Sequence, residues 1–592
     1  MHISDFNKPI IKTEINANAF GITTDKAFDA SLLQNAINHC KENGIDRLTV
    51  DPGIYRITIQ KPLEIFDMHN FELNGNGARF IFYSPINHLQ TMMYFKLENC
   101  SNTQICNLNI DWDWETAPLA SLVKVVKRTP EFVDLEYMEE RPLPDTSLFI
   151  TLNQVNPETF TPGVEDGTEY IGPKRFSEEP FTKREKISEK VYRCHLDPTT
   201  LNDRYFKEGT FYLVRHFVYN GGCFTLKNCE HISLTDVTIY SIPGFGLHVS
   251  GHSHHLLFHR FKITLPDFEK RYITATVDGV HVTRSDGYML FEECDLGYQG
   301  DDCINIHTWV EMGVEKLSAD TFRYKNTKYS ADKQGELLEF RNGDLSPTGF
   351  FATILNIKQQ DGWSVLTLDK EIPDSIKPDS VIFNRSYDSG HYEIRNCYFH
   401  ETRARGILAQ ADNGIIENCT FYRIQGAAIQ IETGASPLWS EGMGVENLMI
   451  RNNKIKECDI NDWDKGVIYM STFLPAGIPI QNTKHPNPTT TVGDSGADFR
   501  TAYPMFKNIT FENNTIEEYP RRAMILTSFD GVHLKNNTFI NNVPRNYNNP
   551  ERGSIWAALG SNLTDENNTF VNSPYMLMPG IENDCEDKGV KE

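Results

Sequence analysis

The segment Gly406 to Tyr422 reads GILAQADNGIIENCTFY: short β-branched and aromatic runs, punctuated by Gly and Asn and turned by an Asn-Cys pair. The same grammar returns at Phe224 to Tyr240 (FTLKNCEHISLTDVTIY), Gly279 to Leu296 (GVHVTRSDGYMLFEECDL), Met505 to Ile516 (MFKNITFENNTI) and Gly531 to Ile540 (GVHLKNNTFI). Asn396 and Asn418 lie 22 residues apart, and Asn513 and Asn536 lie 23 apart. Each unit is too short to bury a core by itself, and Asn at the turns tolerates the left-handed backbone that links one strand to the next. The period predicts an all-β chain wound as a right-handed parallel β-helix. A β-sandwich also has short strands, but it has no reason to repeat an Asn-Cys or Asn-Asn turn at a fixed interval.

A solenoid end exposes its core unless something covers it. Phe28 to Asn43 supplies an amphipathic helix, with Asp29 as N-cap and Leu32, Leu33, Ala36, Ile37 and Cys40 on one face; Val50 to Ile57 (VDPGIYRI) then opens the strands. Two stretches lose the period and carry longer alternating runs instead: SLVKVVKR and FVDLEYM in the first, FFATILNI and WSVLTLD in the second. They are expected to be inserted antiparallel, barrel-like β domains. The expected division is 1–114 for the cap and first coils, 115–215 for the first insertion and 216–307 for the central coils. The second insertion takes 308–390, and the last coils and tail take 391–592. Insertions that leave one side of a solenoid commonly wall a binding face.

Composition narrows the partners. The 592 residues would make about four ordinary domains unless the chain grows as a repeat. With 39% hydrophobic and 23% charged residues it can bury a core. A net charge of −23 opposes nucleic acid, anionic membranes and polyanionic polysaccharides, so a neutral partner is expected. No apolar run reaches the ~20 residues of a membrane span. Met1 to Lys8 lacks the pattern of an export leader, and the expectation is a secreted or periplasmic protein whose leader lies outside this chain. Of the 12 cysteines, Cys100, Cys229, Cys397 and Cys419 each follow Asn, which predicts buried, stacked, free thiols. There is no CxxC pair for structural zinc.

Stacked coils sit ~4.8 Å apart, so residues one repeat apart become neighbours. Alternation turns Val280 and Val282 inward and His281 outward; one coil on, Ile304 and Ile306 match them, with Asn305 outward. At that offset of 24 residues Asp278 falls on Asp302, with Asp301 beside it. Like charges so close raise one another's pKa, leaving one protonated and another ionised, the acid and base that glycosidic cleavage needs. Turn-capping Asp residues and a Ca²⁺ site are the rival readings of the trio; clustering on adjacent coils favours catalysis, with no metal or cofactor. The outward positions His248, His281, Asn305 and Gln430, with Glu432 beside His307, form a polar ladder suited to a hydroxyl-rich ligand. Arg403 and Arg405 could bond sugar hydroxyls. Trp439, in the loop Thr433 to Val445, and the run Asp111-Trp112-Asp113-Trp114 offer indole faces for a sugar or for core packing.

The pair DGVH (Asp278 to His281) and QGDDC (Gln299 to Cys303) resembles the catalytic signature of parallel β-helix inverting glycosidases, polygalacturonases first among them. The Gly-His-Gly turn and uronate-binding Arg-x-Lys of polygalacturonases have no counterpart here, which turns the expectation away from an acidic sugar. The fuller resemblance is to glycoside hydrolase family 110, the α-1,3-galactosidases. It rests on the helix followed by VDPGIY, the two insertions, the paired Asp motifs, and RARGILAQ followed by AAIQIE. That resemblance implies Asp301 as general acid and Asp278 with Asp302 as the base pair holding the attacking water.

The expectation is therefore an exo-acting, metal-independent, inverting hydrolase. It would release terminal α-1,3-linked galactose from blood-group-B-like or linear α-galactosyl glycans, with a galactose-terminated oligosaccharide or glycoconjugate as partner and a homodimer as an option. The rivals are a polygalacturonase-like endo-hydrolase, a carbohydrate-binding β-helix without turnover, and a Ca²⁺-dependent lyase.

Overall fold

The structure is a computed structural model of the whole chain, and it is described here apart from residues 84–91, 166, 169, 174, 198–204, 327–331, 436–439, 463–465, 475–499, 544–552, 572–574, 577 and 586–592. Three rows of parallel strands wind along one axis. The front row climbs through Leu63–Phe66, Met92–Glu98, Gly221–Lys227, Phe245–Ser250, Val280–Thr283, Ile304–His307, Ile407–Ala409, Ile429–Gly434 and Ile468–Phe473. Each front strand hands on to a second-row strand and then to a third. After Val280–Thr283 these are Gly287–Glu292 and Asp295–Gly297, before the chain returns to the front at Ile304–His307. This is the parallel β-helix that the period predicted.

The side-chain alternation holds the coil together. Val280, Val282, Ile304, Ile306, Ile407 and Ile429 point into one continuous hydrophobic column, and phenylalanines from successive coils stack, as Phe258 does on Phe291 at 4.6 Å. Corners are made by left-handed residues, many of them Asn: Asn228, Asn396, Asn418, Asn452 and Asn513 all have φ between 51° and 56°. All 12 cysteines are buried and free. The four Asn-Cys pairs belong to two separate corners: Cys100 and Cys229 between the front and second rows, Cys397 and Cys419 between the second and third. At the second corner an asparagine stack continues the thiols, with Asn453, Asn514 and Asn537 each donating from Nδ2 to the next Asn at 2.9–3.0 Å.

The cap helix runs Ser31–Asn43, shorter than expected at its start, because Phe28–Asp29 is a strand paired with Ile57 and Thr58. Its N-cap is Ala30; Asp29 stands one residue earlier and accepts from the Ser31 N–H at 2.9 Å. Leu33, Ala36, Ile37 and Cys40 are buried under it, and Leu32 packs at the margin.

Two antiparallel sheets interrupt the coil, each with its own core. Among the described residues the first has six strands between Ala120 and Arg215, and the second seven between Val310 and Asn384. The first joins the coil just before the front strand Gly221–Lys227, and the second leaves it just after the front strand Ile304–His307. Both therefore flank the front row, one at each edge.

Candidate active site

The two Asp motifs occupy the turn that enters the front row. Gly279 donates its N–H to the Asp302 carbonyl at 2.8 Å and Val280 to that of Cys303 at 2.9 Å, which sets the coil holding Asp278 directly on the coil holding Asp302. The glycine of GDDC is required by closeness: a Cβ on Gly300 would lie 2.2 Å from the Thr276 carbonyl oxygen. Carboxylate oxygens of Asp278, Asp301 and Asp302 all lie within 4.8 Å of one another.

The three carboxylates differ in surroundings. Asp278 and Asp302 are buried, and Asp301 is the most open, with 20% of its side chain exposed. Burial, then the neighbouring Asp301, pushes Asp278 well above the usual carboxylate range. Burial likewise pushes Asp302 well above it, against the opposing pull of Arg405. Asp302 accepts the Arg405 N–H at 2.9 Å, and Asp301 pairs with the Arg403 guanidinium at 2.9 Å. Beneath them the buried Arg215, the last residue of the first inserted sheet, donates to the carbonyls of Thr276 and Gly300 at 2.6 and 2.8 Å and to Thr151 Oγ1 at 2.7 Å. It bolts that sheet to the turn carrying the aspartates.

Histidines line the next positions of the front row. His281 Nδ1 lies 2.6 Å from Asp278 Oδ2, and His281 Nε2 lies 3.2 Å from His307 Nε2. His307 Nδ1 faces the Thr308 carbonyl at 3.2 Å and must donate to it; burial drives this histidine well below its usual pKa, so it is neutral with Nε2 as acceptor. His281 then donates from Nε2, which leaves its Nδ1 turned to Asp278. His248 stacks on His281 at 5.8 Å and is driven by burial down to about 3.

The polar ladder is interrupted. His248, His281 and Asn305 align as expected, but Leu408 lies between Asn305 and Gln430. Glu432 is separated from His307 by the coil that carries Gln410, so the two are not neighbours. Gln430 bridges Arg405, at 3.0 Å, and Glu432. Trp439 lies outside the described residues. Trp112 and Trp114 are buried in the core, with Asp111 paired to the equally buried Arg271, so this run presents no indole to a ligand.

Four residues at the site were not singled out from the sequence. Glu441, from the loop after Ile429–Gly434, reaches Asn305 Nδ2 at 3.3 Å. Tyr219 lies with its hydroxyl 3.5 Å from Asp301 Oδ2, and Tyr170 lies under Arg403 at 4.6 Å. Arg215 is the fourth. All come from insertions or loops, where no period marks them. A groove of about 500 Å³ between the cap helix and Leu63–Phe66 lies on the first coils and shares no residue with this site.

The match to known proteins extends across most of the chain. Alpha-1,3-galactosidase B of Bacteroides thetaiotaomicron is 23% identical over 574 residues, covering 89% of this chain and 86% of that protein. Alpha-1,3-galactosidase A of Bacteroides fragilis is 22% identical, covering 86% and 84%. The resemblance to the α-1,3-galactosidases holds. A family model described as "Right handed beta helix region" matches residues 385–575, in keeping with the hand expected of the coil. Among solved structures, a family 28 exopolygalacturonase of Yersinia enterocolitica is similar at 11% identity and a TM-score of 0.42, covering 94% of this chain and 78% of that one.

Proposed function

We propose that this protein is an exo-acting glycoside hydrolase that releases terminal α-1,3-linked galactose, with Asp278, Asp301 and Asp302 as its reacting groups. The observation that carries the reading is the trio itself: three carboxylates within 4.8 Å, two of them buried and held far above their usual pKa. A scaffold gains nothing from such crowding, whereas glycosidic cleavage needs one group to give a proton and another to take one. The names of the similar proteins supply the galactose and the linkage; the inserted sheets on both edges of the front row suit a pocket that admits a chain end.

Asp301, the most open of the three, protonates the departing oxygen. Arg403, which pairs with it, also lies over the Tyr170 ring. Asp278 and Asp302 hold the water that attacks the anomeric carbon. The proton that water loses goes to Asp278, and the link to His281, whose tautomer is fixed by His307 and the Thr308 carbonyl, spreads it over two groups. His248, Asn305, Arg405, Gln430, Glu432 and Glu441 supply polar groups around the sugar.

One observation favours a second stereochemical course. Inverting pairs usually stand ~6.5–9.5 Å apart and retaining pairs ~5–5.5 Å, and one oxygen from each member of this trio comes within 4.8 Å of the others. Inversion requires the water to sit beside the trio, against Asp278 and Asp302 together; retention requires one of them to attack carbon directly. Proton NMR on a terminal α-1,3-galactosyl disaccharide decides the matter. β-Galactose as the first product is expected, α-galactose first means retention, and no release of galactose ends the galactosidase reading.

A further inference from the structure

Asp301 has a row of aromatic rings on its exposed side. Tyr219, with its hydroxyl 3.5 Å from Asp301, packs against Phe176 at 5.1 Å and against Phe245 at 5.8 Å, and Phe245 continues to His281 at 5.3 Å. The inner end of this line is half-buried, while Tyr219 is 36% exposed and Phe176 39% exposed. The rings therefore run from the aspartate trio out to solvent.

The lip is built from two parts of the fold, Phe176 from the first insertion and Phe245 from the coil, with Tyr219 at the junction where the insertion rejoins the front row.

We propose that Phe176, Tyr219 and Phe245 form the subsite for the leaving sugar, a neutral pyranose whose C–H face rests on the rings. This rests on the reading above. The group that gives its proton to the departing oxygen touches the bond between the two sugars, so the leaving sugar lies on the open side of Asp301, where the lip is; Asp278 and Asp302 lie deeper, on the side of the sugar that is held. Aromatic faces suit the C–H surface of a neutral hexopyranose and need no charge on it.

The test compares two substrates in the full chain: an α-1,3-galactosyl disaccharide, which fills the subsite, and α-galactosyl fluoride, whose leaving group is a single atom. Tyr219→Ala and Phe176→Ala should each lower the disaccharide-to-fluoride ratio of kcat/KM by about tenfold, the size expected for one lost aromatic contact. Tyr219→Phe should keep the ratio within about twofold. An unchanged ratio in both alanine variants overturns the proposal, as does a Tyr219→Phe ratio as low as that of Tyr219→Ala, because the hydroxyl would then matter and not the ring. Wild-type protein that cleaves the fluoride but not the disaccharide also overturns the lip while leaving the galactosidase reading in place. Protein that cleaves neither overturns that reading, and the lip with it.

Discussion

A cluster of buried acids at the front-row turn and another where the second insertion meets the coil are built to opposite rules. In the second, Asp332 accepts from Arg284 at 3.1 Å, Tyr324 at 2.7 Å and Asn384 at 3.0 Å. Glu336 accepts from Asn384, Tyr387 and the Lys333 N–H at 2.7–2.8 Å, and Glu339 pairs with Arg385 at 2.6 Å. Donors come from both the insertion and the coil, and the carboxylates are spread among them. At the front-row turn the three carboxylates face one another. Arg403, Arg405 and His281 approach from outside, and burial is left to push Asp278 and Asp302 upward. A buried acid that is fully donated to holds structure; one crowded by its own kind stores a proton.

The largest expected effect separates the two clusters outright. Asp301→Asn should cut kcat by about 10²–10⁴-fold and leave the thermal midpoint where it was or higher. Asp332→Ala should cost about 3–5 kcal/mol, seen as a lower midpoint and faster amide exchange in the second inserted sheet, with activity lost only as folded protein is lost. If Asp301→Asn unfolds the protein, or Asp332→Ala leaves its stability untouched, the contrast fails.

A smaller effect lies in the pH profile. Asp278 and Asp302 must be deprotonated to act as bases, and both are raised, so kcat/KM should fall with decreasing pH at a value above the ~4 of a lone aspartate. The folded protein holds these protons more tightly than the unfolded chain does. Their contribution to stability is therefore present at low pH and lost as pH rises through the raised values. Asp278→Asn removes one like charge, which should move the residual acid limb down and flatten that stability slope; a limb that stays in place means Asp302 is not its neighbour in titration. The smallest expected effect is that of a chelator, which should change neither rate nor midpoint. A loss restored by Ca²⁺ would make the trio a cation site.

The coil was legible because its geometry is local. Inward Val280, Val282, Ile304 and Ile306 set the register, and the offset between the two motifs put Asp278 on Asp302 without any knowledge of distant contacts. Counting fails where coil length changes. Asp302 and Arg405 are hydrogen-bonded neighbours 103 residues apart, across the second insertion, and the coil bearing Leu408 and Gln410 was passed over in aligning the outward ladder. Tyr219, Tyr170, Arg215 and Glu441 were illegible for a related reason: they reach the site from segments whose alternation reports their own sheets and loops, not the front row. The tryptophans of Asp111 to Trp114 were ambiguous in sequence because an indole serves a core and a sugar equally well, and the buried Arg271 partner settles them as core.

Arg215 makes the first insertion more than an ornament on the solenoid. Its guanidinium closes off two backbone oxygens of the aspartate turn from the far side of the sheet junction. A chimera that exchanged this sheet for another of the same size, without an arginine at its exit, would still wind its coils. It would leave those oxygens facing a dry gap and the turn free to drift, so the module can be traded only together with the fastening it brings.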